Sequence, residues 1–150
     1  MFIFCLGKEY IMDIKNLLSE KKEHLKMIED IIARMANNSF LLKSWAVSLI
    51  SAILLFADYK QNLVFVWMAI CPIFVFWFLD ALYLQLERKY KKLYKLVRQD
   101  YIDKTNKITL FDMDTKNIEV EKLFCIMFSK SIVPIYSIIL ATVFFILKNI

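Results

Sequence analysis

Phe40-LLKSWAVSLISAILLFADYKQNLVFVWMAICPIFVFWFL-Asp80 is the stretch whose reading decides the fold. It divides into two apolar runs, Leu41 to Ala57 and Leu63 to Leu79, each 17 residues long. The first is broken only by Lys43 and three serines, and the second carries no charge. Such a length is at the short end of the range, about 17–25 residues, in which an α-helix crosses the hydrocarbon core of a bilayer. Only Asp58, Tyr59, Lys60, Gln61 and Asn62 separate the two runs. A third apolar run extends from Ser131 to Leu147. Three such helices in succession are hard to bury without lipid, so the sequence predicts an all-α membrane protein with three transmembrane helices, at 41–57, 63–79 and 131–147.

Composition points the same way. Of 150 residues 59% are hydrophobic, and mean hydropathy is +0.51. One Gly and two Pro leave little turn material, which favours long helices in a single domain. The 20 basic residues are unevenly placed. Seven lie between Met1 and Lys43, one (Lys60) in the turn, eleven between Asp80 and Lys130, and one (Lys148) in the tail. Basic residues stay on the cytoplasmic side of short loops. The expected topology is therefore a multi-pass membrane protein with the N-terminus cytoplasmic, the Lys60 turn outside and the C-terminus outside.

Either side of the spans the helical pattern continues. From Asp13, Ile14, Leu18, Leu25, Ile28, Ile32 and Met35 recur at three- and four-residue steps, interrupted at Lys21. No Gly or Pro stands between Asp13 and Ala57. One helix over 13–57 would be about 68 Å long at 1.5 Å per residue, with Asn37-Asn38-Ser39 as the place for a kink or break. A second helix is expected over 63–98, bent locally at Pro72. Leu79, Tyr83, Leu86, Tyr90, Leu93 and Val97 form its heptad-like stripe. Together these extensions predict long cytoplasmic helices forming an antiparallel hairpin stalk. Mirrored about the turn near Lys60, Lys43 meets Asp80, Arg34 meets Glu87, Asp30 meets Lys92 and Glu23 meets Arg98. Leu25 likewise meets Val97, and Ile32 meets Tyr90.

Residues 99–123 read as a cytoplasmic connector. Within it Lys107 to Phe111 and Ile118 to Val120 are a candidate hairpin. The favoured alternative is a helix capped by Asp114 or Thr115 and running into the third span, because a lone hairpin is marginal. Asp112 and Asp114 read as a turn rather than a metal site. Met1 to Met12 lacks the basic n-region and cleavage site of a signal peptide. It reads either as a membrane-surface segment or as an extension upstream of Met12-Asp13. Cys5, Cys71 and Cys125 show no ligand spacing or pairing pattern, and His24, the single histidine, reads as part of a solvated helix face.

No phosphate loop, nucleophile elbow or ligand cluster is present, and the sequence reads as that of a non-enzyme with no cofactor and no metal site. Two features carry functional readings. Ser44, Ser48 and Ser51 share one face of the first span, either as a small-residue packing surface or as the lining of a pore in an oligomer. Arg88, Lys89, Lys91, Lys92, Lys95 and Arg98 form a juxtamembrane basic run. It would face anionic lipid headgroups or bind a phosphate-rich ligand or partner.

Arg34-Met-Ala-Asn-Asn-Ser-Phe40 with Lys43, and Phe76-Trp-Phe-Leu-Asp80 followed by Tyr83-Leu84 and Glu87-Arg88, carry a resemblance. With Ser129-Lys-Ser131 and Tyr136 they resemble small bacterial multi-helix membrane proteins of antiphage defence systems, over residues 24 to 140. Among these the chain is similar to Hailong-type channel-forming membrane effectors, which work beside a nucleotidyltransferase and are restrained by its DNA oligomer product. The resemblance implies a homo-oligomeric, ligand-regulated ion channel that depolarises the cell membrane. It implies as partners the lipid bilayer, further copies of the chain, and a cytoplasmic nucleotidyltransferase-type protein or its nucleic-acid product. The motifs are structural rather than catalytic, and a non-conducting anchor or scaffold that docks a cytoplasmic partner, or an accessory subunit of a transporter, would use the same ones.

Overall fold

A computed structural model describes residues 2–60, 63–103 and 109–149, with side chains throughout except at 2–11, 13, 14, 58, 60 and 149. The chain is all-helical, with no strand among the described residues. Four helices follow in order: α1 (Phe2–Lys60), α2 (Leu63–Asp103), α3 (Leu123–Met127) and α4 (Val133–Asn149).

Both long helices exceed the expected bounds. α1 has 59 residues and passes through Asn37-Asn38-Ser39 without a break. Ser and Asn weaken helices when their side chains compete for nearby backbone groups. Here the Ser39 hydroxyl is directed to another helix, donating to Asp80 Oδ1 at 2.5 Å, so that competition is removed. α2 has 41 residues and continues through Pro72 to Asp103. Proline costs an interior helix one backbone hydrogen bond. Here its neighbours Ala69 and Ile73 are fully buried and hold the turn in place.

Two compact units are formed, Met1–Ala33 with Lys89–Glu119 and Arg34–Arg88 with Val120–Ile150. The second unit contains the apolar runs. Its core stacks Ala46, Ile50, Leu54 and Ala57 of α1, Val66, Ala69, Ile73 and Ala81 of α2, and Ile132, Tyr136, Ile139 and Val143 around α4. All four alanines are fully buried, whereas Trp45, Phe56, Trp67 and Phe144 are 62–71% exposed. Small residues inside and large apolar residues outside characterise helices that approach closely within lipid. Only 22% of the most apolar window of α1, and 22% of that of α2, is buried. The core helix of a water-soluble protein would be mostly buried, so these are two helices long and apolar enough to cross a membrane. α4 is apolar but shorter.

The first unit is built on the opposite plan. His24 and Ile28 of α1, Leu93, Val97 and Asp100 of α2, and Ile118 are its buried residues. Lys22, Lys26, Glu29, Lys91, Lys95 and Arg98 are exposed. The α2 stripe read from the sequence holds at Leu93 and Val97, but Leu86 is 39% exposed and Glu87 is buried in its place. A straight helix drifts about 20° per heptad against a strict seven-residue repeat, enough to exchange neighbouring positions at the edge of a face.

The connector corrects the capping expectation. Neither Asp114 nor Thr115 caps a helix into the third span. Instead Asp112 Oδ1 accepts from Asp114 N at 2.9 Å, and Asp114 Oδ1 accepts from Lys116 N at 2.8 Å, two successive turns in which a side chain imitates a backbone acceptor. The short α3 follows, with Lys122 at its N-cap position and no side-chain cap. Part of the candidate hairpin, at 107 and 108, and residues 61 and 62 of the Lys60 turn lie outside the described residues. So do the side chains of the Met1–Ile11 segment, Cys5 included.

Candidate functional site

The most concentrated polar chemistry inside the apolar unit is a cluster of Ser39 and Lys43 on α1 with Asp80 on α2. The four-residue step from Ser39 to Lys43 places both on the face that meets α2. Lys43 Nζ donates to Asp80 Oδ1 at 2.6 Å and to Ser39 Oγ at 2.6 Å. Asp80 is fully buried and the Lys43 side chain is 17% exposed. The carboxylate thus has its charge compensated and one oxygen doubly hydrogen-bonded. Oδ2 has no hydrogen-bond partner among the described residues. A buried charge is expensive unless it is paired and hydrogen-bonded, and Asp80 is both at one oxygen.

Of the charge pairings read from the sequence, this is the one in which the two side chains meet as an ion pair. Arg34 with Glu87, Asp30 with Lys92, and Glu23 with Arg98 do not form. Glu23, Asp30, Arg34 and Arg98 are exposed and enter no ion pair among the described residues. Lys92 Nζ donates instead to the Glu119 carbonyl oxygen at 3.0 Å. Glu87 is 9% exposed. Water solvates exposed charges well enough that holding two long side chains together gains only about 0–1 kcal/mol. Where bulk water is excluded, as at Lys43 and Asp80, that competition is weakened.

Ser44, Ser48 and Ser51 lie on an exposed face of α1, away from the buried Ala46, Ile50 and Ala57. Ser44 Oγ donates to its own helix, at the Phe40 carbonyl oxygen 3.1 Å away. Ser51 also borders α4. With Val47, Ile50, Leu54, Ile135, Ile138, Ile139 and Thr142 it lines an apolar groove of about 300 Å³. Thr142 satisfies its hydroxyl within α4, donating to the Ile138 carbonyl oxygen at 3.0 Å.

The basic run is not one continuous patch. Arg88, in the apolar unit, pairs with Glu121, while Gln85 Nε2 donates to the Glu121 carbonyl oxygen at 3.2 Å. In the charged unit Lys92 is drawn to Glu119, Lys89 is half-buried, and Lys91, Lys95 and Arg98 are exposed. Lys91, Lys95 and Arg98, at steps of four and three, form the accessible cationic stripe.

His24 overturns the solvated-face reading. It is fully buried in the charged unit. Its Nε2 lies 3.1 Å from the Asp112 carbonyl oxygen and its Nδ1 lies 2.5 Å from the Tyr101 hydroxyl. A carbonyl can only accept, so Nε2 carries the proton, and in the neutral ring Nδ1 accepts from the Tyr101 O–H. The Phe111 ring packs 5.8 Å from the imidazole, and Lys21 Nζ sits 4.9 Å from the centre of the Tyr101 ring. Phe111 holds φ at 64°, a left-handed conformation that a bulky residue adopts only when its surroundings impose it. Burial pushes the Tyr101 hydroxyl above its ordinary range, and the Asp100 charge adds to this. The missed signal was spacing. Lys21, His24 and Ile28 follow one helix face at steps of three and four, and the apparent interruption at Lys21 belongs to that face.

Among the described residues no three His, Cys, Asp or Glu side chains gather to hold a metal ion. Cys71 and Cys125 are exposed free thiols. The geometry defines an all-helical chain with two membrane-length apolar helices, a buried carboxylate compensated by Lys43 and a charged unit with a buried histidine. No protein-family model matches this chain, and neither a curated protein nor a solved structure matches it.

Proposed function

We propose that the protein is a homo-oligomeric membrane effector of the bacterial inner membrane, an ion channel regulated by an anionic ligand, that depolarises the cell in antiphage defence. In this reading the chain spans the bilayer three times, at 41–57, 63–79 and along α4, with the N-terminus in the cytoplasm and the C-terminus outside. The observation that carries it is the exposed serine face of α1. Ser44, Ser48 and Ser51 lie outside the intrachain core, on a helix otherwise fit to face lipid. A stripe of hydroxyls gains nothing from acyl chains, and is stabilised when neighbouring copies turn it toward a shared, hydrated axis. The exposed Lys91, Lys95 and Arg98 supply the charge for an anionic regulator, such as the nucleic-acid product of a nucleotidyltransferase-type partner.

Leucine at Ser48 tests the pore directly. The Ser48→Leu protein should assemble to the same oligomer size, yet carry no current in planar bilayers where wild type conducts. Loss of assembly before loss of current would assign the serines to helix packing. The alternative is a non-conducting anchor or scaffold docking a cytoplasmic partner, favoured by the charged unit's own polar core around His24. Correctly assembled wild-type oligomer that stays silent under every ligand condition would select it.

A further inference from the structure

Two buried polar atoms of the apolar unit lack a hydrogen-bond partner among the described residues although each is built to have one. Asp80 is fully buried and its Oδ2 accepts no hydrogen bond; Tyr136 on α4 is 1% exposed and its hydroxyl makes none. Both groups adjoin Trp77, Tyr136 through its ring and Asp80 one helical turn further along α2. Trp77 explains their approach. Its ring stacks on that of Tyr136 with centroids 5.8 Å apart and planes 13° apart. Asp80 follows Trp77 on the same face of α2, three residues on. Trp77 is itself anchored, its Nε1 donating to the Met127 carbonyl oxygen at 3.0 Å. The tyrosine is therefore held by its ring, leaving its hydroxyl aimed by the stack rather than by a hydrogen bond.

A buried hydroxyl and a buried carboxylate oxygen are each costly to leave unpaired. We propose that Asp80 Oδ2 and Tyr136 Oη together bind one buried water molecule, which donates to the carboxylate and accepts from the tyrosine O–H. The ligand is neutral because the charge is already compensated. Lys43 Nζ and Ser39 Oγ both donate to Asp80 Oδ1, so a cation would meet the Lys43 ammonium and an anion would meet the carboxylate. The water joins α4 to the polar contact between α1 and α2, making Tyr136 a positioning residue for the third apolar helix. Ser129 Oγ, in the turn before α4, is a third buried atom without a partner, and it offers a further hydroxyl for a hydrated site of this kind.

The test uses the full chain in detergent. Thermal unfolding of wild type, Tyr136→Phe, Asp80→Asn and the double variant forms a cycle. With the bridge present, Tyr136→Phe lowers the melting temperature, and in the double variant the two losses do not add. A Tyr136→Phe protein as stable as wild type, or fully additive losses, would overturn the proposal. Should Asp80→Asn fail to fold, ultraviolet Raman difference spectra of wild type minus Tyr136→Phe read the state of the Tyr136 hydroxyl directly. A hydrogen-bonded donor whose signature shifts in heavy water supports the bridge. A hydroxyl without a hydrogen bond overturns it.

Discussion

The two units use the same helices to solve opposite problems. In the apolar unit the buried residues are small and the exposed ones large. Ala46, Ala57, Ala69 and Ala81 are fully buried, while Trp45, Trp67, Phe74 and Phe145 face outward. In the charged unit, Ile28, Leu93 and Val97 are buried behind lysines, arginines and glutamates. Burying such a side chain from water contributes about 1.5–3 kcal/mol, the ordinary hydrophobic economy. In the membrane setting proposed above, lipid offers no such gain between helices, and the apolar unit would rely on close packing and on polar contacts that have nowhere else to go. The polar residues follow suit. Asp80 is compensated by Lys43 in one unit, and His24 is held between a hydroxyl and a carbonyl in the other.

Breaking the Lys43–Asp80 contact should have the largest effect. Lys43→Met leaves a buried carboxylate without its countercharge, a loss of about 3–5 kcal/mol. Unfolding of the detergent-solubilised protein measures it, and Lys43→Met with Asp80→Leu should recover most of the loss. A single variant as stable as wild type would remove the pair from the account.

The contrast in solvent is sharpened by placing the same residue in both units. Phe74→Arg, at a 53% exposed position in the apolar unit, should cost about 2.5–3.5 kcal/mol in membrane insertion. Leu96→Arg, 47% exposed in the charged unit, should change stability by no more than about 0.5 kcal/mol. Equal penalties, read as membrane-inserted yield, would mean that the two exposed surfaces meet the same solvent.

A smaller and more local loss is expected at His24. His24→Leu leaves the Asp112 carbonyl and the Tyr101 hydroxyl without their partner, about 1–3 kcal/mol. Amide exchange should accelerate over residues 109–119 and not in α4. Tyr101 adds a pH signature. Its hydroxyl titrates above the ordinary 10.0 in the folded chain, so its contribution is present below that pH and lost as pH rises through the raised value. Alkaline loosening of the same segment should therefore be present in wild type and absent in Tyr101→Phe. Smallest of all, Glu121→Gln removes an exposed partner of Arg88 and should cost about 0–1 kcal/mol, an effect that added salt erases.

What the sequence determined by itself is the part governed by local, additive energies. Transfer of each apolar residue to lipid marks helices at 41–57, where no breaker stands, and at 63–79, where only Pro72 does, before any contact is known. The Lys43–Asp80 contact was also legible, because two opposite charges at positions mirrored about a short turn, at the far ends of two apolar runs, have few other places to go. Tertiary structure decided the rotation of each helix about its axis. That rotation buries Glu87 and exposes Leu86, one residue apart, and turns His24 from a surface position into the centre of a core. It also decided that Asp112 and Asp114 close turns, since capping requires a helix to begin beside them and α3 begins at Leu123. Spacing along one helix cannot supply these facts. They depend on which neighbours the third apolar helix and the connector bring against each face, and those neighbours are remote in sequence.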